Sequence, residues 1–205
     1  PGLTNVAEIA AGGRHTCARI NDGTVRCWGW NYNGELGLGN TSSGFLAPNV
    51  IPSFGDIAGI AAGTNHTCAW KSDGTLYCWG VNTYGQLGDG TFSTRVSPTV
   101  VGLLRVTQVA LGNDATCALL IDGSARCWGN NNIGQIGDGT WNRYTSPAIV
   151  PALTGFSEIA FGWDHGCAIS PDNGIVCWGN ANSGQLGNGA AYWTGQNTPV
   201  DVIWP

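Results

Sequence analysis

Eight cysteines, three histidines and a few glycine-flanked aspartates are the residues of this 205-residue chain with chemistry to offer. The cysteines form four pairs, Cys17/Cys27, Cys68/Cys78, Cys117/Cys127 and Cys167/Cys177, each pair ten residues apart. Paired zinc ligands usually sit about two to four residues apart, so this spacing does not suit zinc. Buried free thiols are one alternative, since Cys is among the most buried residue types. A disulfide is the other. Between the partners lie turn signals, Asn21-Asp22-Gly23, Ser72-Asp73-Gly74 and Ile121-Asp122-Gly123. A three-residue hairpin loop with Gly in the left-handed position pairs Ile20 with Thr24 and puts Cys17 opposite Cys27. Opposed residues of antiparallel strands are about 4.5 to 5.5 Å apart at Cα, a distance that a disulfide spans. The fourth copy, Pro171-Asp172-Asn173-Gly174, carries its glycine one residue late, which leaves its turn type open. Four disulfides imply an oxidising compartment, so a secreted or cell-surface protein is expected.

The other reactive types point away from catalysis. His15, His66 and His165 occupy one position of a repeated pattern, hence separate structural units, whereas metal ligation needs bonds of about 2 Å to one point. A framework role is expected, with no metal. Asp89 and Asp138 lie in Gly-Asp-Gly-Thr, but the other copies hold Leu38 and Asn188 there, and calcium wants about six or more oxygens. The glycine-rich stretches resemble phosphate loops, yet no helix pattern follows to hold an anion at its N-terminus. There is no Gly-x-Ser-x-Gly and no carboxylate pair at catalytic spacing. No enzyme and no cofactor are expected.

The elements that must position these residues repeat with a period near 50. The leading cysteines are 51, 49 and 50 residues apart, dividing the chain into repeats of about 1–54, 55–104, 105–154 and 155–205 in a single array. Each repeat opens on a small apolar strand, as in Ile9-Ala10-Ala11-Gly12, suited to a crowded position near an axis. It continues through the cysteine hairpin to Trp-Gly at Trp28, Trp79, Trp128 and Trp178. Then come a Gly-(Gln/Glu)-(Leu/Ile)-Gly-x-Gly turn series and a last strand such as Pro98-Thr99-Val100-Val101. That is about four short strands per unit without helical periodicity, the pattern of an all-β propeller-like array of four antiparallel blades. A net charge of −5 argues against a nucleic-acid surface, and no apolar run is long enough to span a bilayer as a helix. The chain has no methionine, so Pro1 is not a translation start, and a processed product or a piece of a longer chain is expected.

The series G-x-x-H-x-x-A, D-G-x-x-x-x-W-G-x-N-x-x-G-Q-L-G-x-G and P-x-x-V resembles the regulator of chromosome condensation repeat family along the whole chain. The resemblance implies a β-propeller, usually of seven blades. Departures are Ala115 for the histidine, Ala181 for the asparagine found at Asn31, Asn82 and Asn131, and Glu35 for glutamine. Four blades at seven-fold geometry cover a little over half a turn. A tight four-blade closure, an eight-blade dimer or a head-to-tail polymer would each complete the ring differently. The family's nuclear exchange-factor role fits poorly with four disulfides and a negative charge. A secreted relative that binds a β-lactamase implies instead a non-enzymatic module for protein binding or self-assembly. A lectin, with a glycan as partner, and a structural segment of an adhesin or filament are the alternatives.

Framework positions agree between copies, whereas the loops between Gly-x-Gly and the Pro-strand differ: NTSSGFLA, TFSTRVS, TWNRYTS and AAYWTGQNT. They hold Phe45, Phe92, Arg95, Trp141, Arg143, Tyr144, Tyr192 and Trp193, of the types enriched at binding hot spots. These are the expected partner-binding residues. The alternative is that the rings pack between blades.

Overall fold

A computed structural model describes residues 2–190 and 195–203, which contain sixteen strands. Each repeat forms one four-stranded antiparallel meander. The first blade holds β1 (Val6–Ala11), β2 (His15–Ile20), β3 (Val25–Asn31) and β4 (Ser42–Val50). The second holds β5 (Ile57–Ala62), β6 (His66–Lys71), β7 (Leu76–Gly80) and β8 (Arg95–Val100). The third holds β9 (Val106–Leu111), β10 (Ala115–Leu120), β11 (Ala125–Gly129) and β12 (Tyr144–Ile149). The fourth holds β13 (Glu158–Phe161), β14 (His165–Ile169), β15 (Ile175–Gly179) and β16 (Gln196–Asp201). The first strands β1, β5, β9 and β13 are neighbours in turn and form the inner wall. No helix occurs among the described residues, as the lack of a 3.6-residue period predicts.

The cysteine hairpin closes as its turn chemistry requires. The Ile20 amide donates to the Thr24 carbonyl at 2.9 Å, Gly23 sits at φ +80°, and Asp22 accepts the Thr24 amide. In the fourth copy the Ser170 amide donates to the Gly174 carbonyl at 3.0 Å, and Asn173 takes the left-handed position at φ +64°. The turn is therefore the same, with Asn in place of Gly, since Asn is among the few other residues that tolerate this conformation. The register places Cys17, Cys68, Cys117 and Cys167 opposite Cys27, Cys78, Cys127 and Cys177. All four pairs are disulfides with Cα atoms 4.1 Å apart, each stapling the two middle strands of its blade. Closing a loop of this size contributes roughly 3 kcal/mol in the chain-entropy model.

Blades pack face to face, and each of the three interfaces has its own apolar core. Cys17, Val25, Leu36 and Ile51 of the first blade meet Ile57, Ile60, Ala69 and Trp79 of the second. The equivalent residues build the next two interfaces. The Trp-Gly tryptophan is the keystone. Trp79, Trp128 and Trp178 are fully buried and donate Nε1–H to the carbonyls of Glu35, Gln86 and Gln135 in the preceding blade, each at 2.9 Å. Gly37 must be glycine there: it has φ +72°, and a Cβ would lie 2.9 Å from the Trp79 ring nitrogen.

The histidines clamp the same interfaces. His15 Nε2 lies 2.8 Å from the Thr67 hydroxyl, which itself donates to the Glu35 carbonyl at 2.8 Å. His66, Thr116 and Gln86 repeat the arrangement. Because the hydroxyl hydrogen is committed, the imidazole must donate from Nε2. Its Nδ1 is then a buried lone pair with no partner. Protonating that nitrogen would bury an unpaired N–H and a charge, so burial holds His15 down to about 4 and His66 down to about 3.

The array does not close into a tight four-blade ring. Ile9 of the first blade is 72% exposed, whereas its equivalent Ile60 is 4% exposed under the preceding blade.

Candidate protein-binding face

In an antiparallel meander the first and third loops of each blade emerge on the same side. The loops after β1, β5, β9 and β13 thus share one face with the long loops after β3, β7, β11 and β15. The long loops are held from below. Asn82 Oδ1 accepts the Leu87 amide at 2.9 Å, and its Nδ2 donates to the Thr91 and Ser93 carbonyls at 3.0 and 3.1 Å. Asn131 and Asn31 play the same part in their blades. The adjacent Gln86 accepts the Tyr84 amide at 2.9 Å, and Glu35 accepts the Asn33 amide in the same way. Above this base Asp89 Oδ1 accepts the Thr91 amide, and the Thr91 hydroxyl accepts the Ser93 amide. Two successive side-chain turns thus push the intervening Phe92 outward. Asp138, Thr140 and Asn142 do the same for Trp141.

The eight expected loop residues divide into two sets and a remainder. Phe92 and Trp141 are 55% and 48% exposed, and Arg143, two residues after Trp141, is exposed as well. Phe45, Arg95 and Tyr144 occupy one equivalent position, opposite the glycines Gly29, Gly80 and Gly129 where the register shifts. There they brace the loops from within. The Phe45 and Tyr144 rings pack on the interblade cores. Arg95 pairs with Asp89 at 2.7 Å, and the Tyr144 hydroxyl donates to Asp138. Tyr192 and Trp193 lie outside the described residues.

The shorter loops after the inner strands bring further groups to the face. Trp163 is 70% exposed and borders an open cleft of about 350 Å3 whose wall includes Gly12, Gly63, Gly112 and Phe161. The Arg143 guanidinium lies 4.7 Å from the centre of the Tyr84 ring in the neighbouring blade. Arg14 lies 5.3 Å from that of Trp30, and Trp30 packs on Tyr32 at 4.3 Å. Asp114 accepts bonds from Gln86 and Asn113. Burial and the neighbouring Asp164 charge push its carboxyl up to about 6, opposed by Arg143. The difference between copies that marks the long loops also marks these: Gly13-Arg14, Thr64-Asn65, Asn113-Asp114 and Trp163-Asp164. That signal, applied to the short loops, would have found Trp163 and Asp114.

Two repeat models described as the regulator of chromosome condensation (RCC1) repeat match this chain, one at residues 22–70, 73–119 and 122–169, the other at 6–35, 57–86, 106–135 and 156–185. The chain belongs to the RCC1 repeat family. It is 43% identical over 95 residues to the ultraviolet-B receptor UVR8 of Arabidopsis thaliana, 45% of this chain and 21% of the receptor. It is 36% identical over 106 residues to the probable E3 ubiquitin-protein ligase HERC3 of Homo sapiens, 51% of this chain and 10% of the ligase. Its fold superposes on human WBSCR16 with a TM-score of 0.86 at 26% identity, covering 98% of this chain and 53% of that one. Yeast RCC1 (Prp20), solved bound to Kap60, gives 0.85 at 26% identity, covering 98% and 49%. The RCC1-repeat chain thus spans about half of the solved propellers it matches and a smaller part of the curated relatives. It is an RCC1-type β-propeller array, a fold that serves as a protein-interaction module.

Proposed function

We propose that this RCC1-repeat array is a non-catalytic protein-binding module of an oxidising, extracytoplasmic setting, and that the loop face holds its partner. The observation that carries the reading is the exposure of Phe92 and Trp141 at equivalent loop tips of adjacent blades, with Arg143 exposed in the same loop as Trp141. Aromatics and Arg presented on a rigid base bind with little loss of side-chain freedom, which is why they dominate interface energetics. The carboxylates Asp89 and Asp138 at the loop bases are engaged in holding the loops, a structural rather than catalytic duty. Four disulfides favour the extracytoplasmic setting. The partners named for the yeast relative, Kap60 in one structure and Gsp1p and histones in another, are proteins, which supports a protein ligand here as well.

The test is affinity selection from an extracytoplasmic fraction with the parent and with Phe92→Ala/Trp141→Ala, followed by measured affinity for the selected protein. The double variant is expected to keep the parent's thermal midpoint within a few degrees and to lose at least about tenfold in affinity. Early melting of the variant would make the two rings structural. A glycan array bound by the parent and not by the variant would replace the protein partner with a sugar stacked on Trp141.

A further inference from the structure

The long loops of the second and third blades are tied together by a contact that the repeat does not require. The Arg143 guanidinium of the third blade lies 4.7 Å from the centre of the Tyr84 ring of the second. Neither partner belongs to the framework. Thr94 stands at the place of Arg143 in the second blade, and Asn33, Ile133 and Ser183 stand at the place of Tyr84 in the other three. The other cation–aromatic contacts among the described residues, Arg14–Trp30 and Lys71–Tyr77, each lie within one blade.

The ring is fixed from beneath. The Tyr84 amide donates to Gln86 Oε1 at 2.9 Å, and Gln86 Nε2 donates to Asp114 of the third blade at 3.2 Å. Arg143 is thus exposed and yet held against a positioned ring. Attraction to a ring face leaves the N–H donors of a guanidinium unspent. Among the described residues no carboxylate claims them, since the ion pairs are Arg19–Glu8 and Arg95–Asp89. Asp114, whose charge Arg143 favours, is engaged elsewhere: one oxygen accepts from Gln86 and the other from Asn113. Arg95, in the long loop of the second blade, shows the opposite arrangement. Its guanidinium bonds Asp89 at 2.7 Å inside its own loop.

We propose, on the protein-binding reading above, that Arg143 receives a side-chain carboxylate, of Asp or Glu, from the protein partner, and that Tyr84 is its positioning residue. A planar guanidinium matches a carboxylate with two parallel bonds, and one already stacked on a ring loses less freedom on binding than a mobile one. Trp141, in the same loop, and Phe92, in the long loop of Tyr84's blade, then meet apolar neighbours of that carboxylate. The partner segment is acidic with apolar flanks.

The test selects a displayed library of random peptides on the parent protein. The selected peptides should carry Asp or Glu beside an apolar residue. The tightest is synthesised with an amidated C-terminus, so that only side-chain carboxylates remain, and its affinity is measured by fluorescence anisotropy. Arg143→Gln and the acid-to-amide change in the peptide should each weaken binding about tenfold, and together little more than either alone. Tyr84→Leu should weaken it about threefold at an unchanged thermal midpoint, and Tyr84→Phe, which keeps the ring face, should not. Selected peptides without an acidic residue, an affinity unmoved by Arg143→Gln or Tyr84→Leu, or additive losses overturn the proposal. So does a library that yields no binder. Peptides that need Phe92 and Trp141 but not Arg143 sink this proposal alone, whereas peptides that need none of the three sink the loop-face reading with it.

Discussion

The first two blade interfaces and the third solve one packing problem by different chemistry. Between the first and second blades, and again between the second and third, a histidine donates to a threonine that bridges to the preceding blade's carbonyl. Between the third and fourth, both partners are gone: Ala115 stands for the histidine and Gly166 for the threonine. The space is taken by Phe161, whose ring meets Trp178 edge-on at 6.2 Å, and a Cβ on Gly166 would lie 2.8 Å from Phe161 and 2.5 Å from Trp178. Removing only one member of a buried hydrogen-bonded pair leaves the other unsatisfied, at a cost of about 1–3 kcal/mol. Removing both and filling the volume with an apolar ring avoids that cost. The difference teaches that the Trp–carbonyl bond is the common element of the interfaces, while the clamp beside it can be polar or aromatic.

The tryptophan should therefore outweigh either clamp. Trp178→Ala is expected to cost roughly 3–5 kcal/mol in urea unfolding, as for other buried aromatics. Trp28→Ala, in the same motif but half-buried in this structure, should cost about 1 kcal/mol or less. Equal losses would mean that the tryptophan acts within its own blade and not across the interface.

Acid should separate the two kinds of clamp. The folded values of His15 and His66, about 4 and about 3, lie below the ordinary 6.5. Their contribution is thus fully present above pH 6.5 and is lost as pH falls through the folded values. Between pH 7 and pH 4 the loss is on the order of 3 kcal/mol for each histidine. Hydrogen exchange resolved by segment should show β5 and β9 deprotecting before β13. Uniform deprotection would break the distinction.

The smallest expected effect concerns compensation at the third interface. Gly166→Thr alone should destabilise by about 1–3 kcal/mol, because the added atoms overpack against Phe161 and Trp178. Combined with Ala115→His and Phe161→Ala, it should recover at least half of that loss by rebuilding the polar clamp. Additive losses in the triple variant, measured by a mutant cycle in urea, would show that the two clamps are not interchangeable.

Much of the blade was legible because its determinants are local. The ten-residue cysteine spacing and an Asp-centred turn set the β2–β3 register, and the disulfide follows from that register. Even the displaced glycine of the fourth turn did not alter it, because Asn173 could take the same backbone angle. Which loop rings are exposed was legible only in part. Variation between copies pointed to Phe92 and Trp141, but it also pointed to Phe45 and Tyr144, which are turned onto the interblade cores. Loop composition does not say which ring meets a neighbour, since that neighbour belongs to another blade.

By itself, then, the sequence determined the number of blades, the strands in each, the disulfide pairing and the placement of turns. All of these depend on hydrogen bonds and covalent links between residues close along the chain. Tertiary structure alone decided which of four identical Trp-Gly motifs is buried, which histidine has a threonine to hold, and which copy needs Phe161. Those outcomes depend on packing between residues about one repeat apart, where the same side chain is core or surface according to whether a blade lies against it.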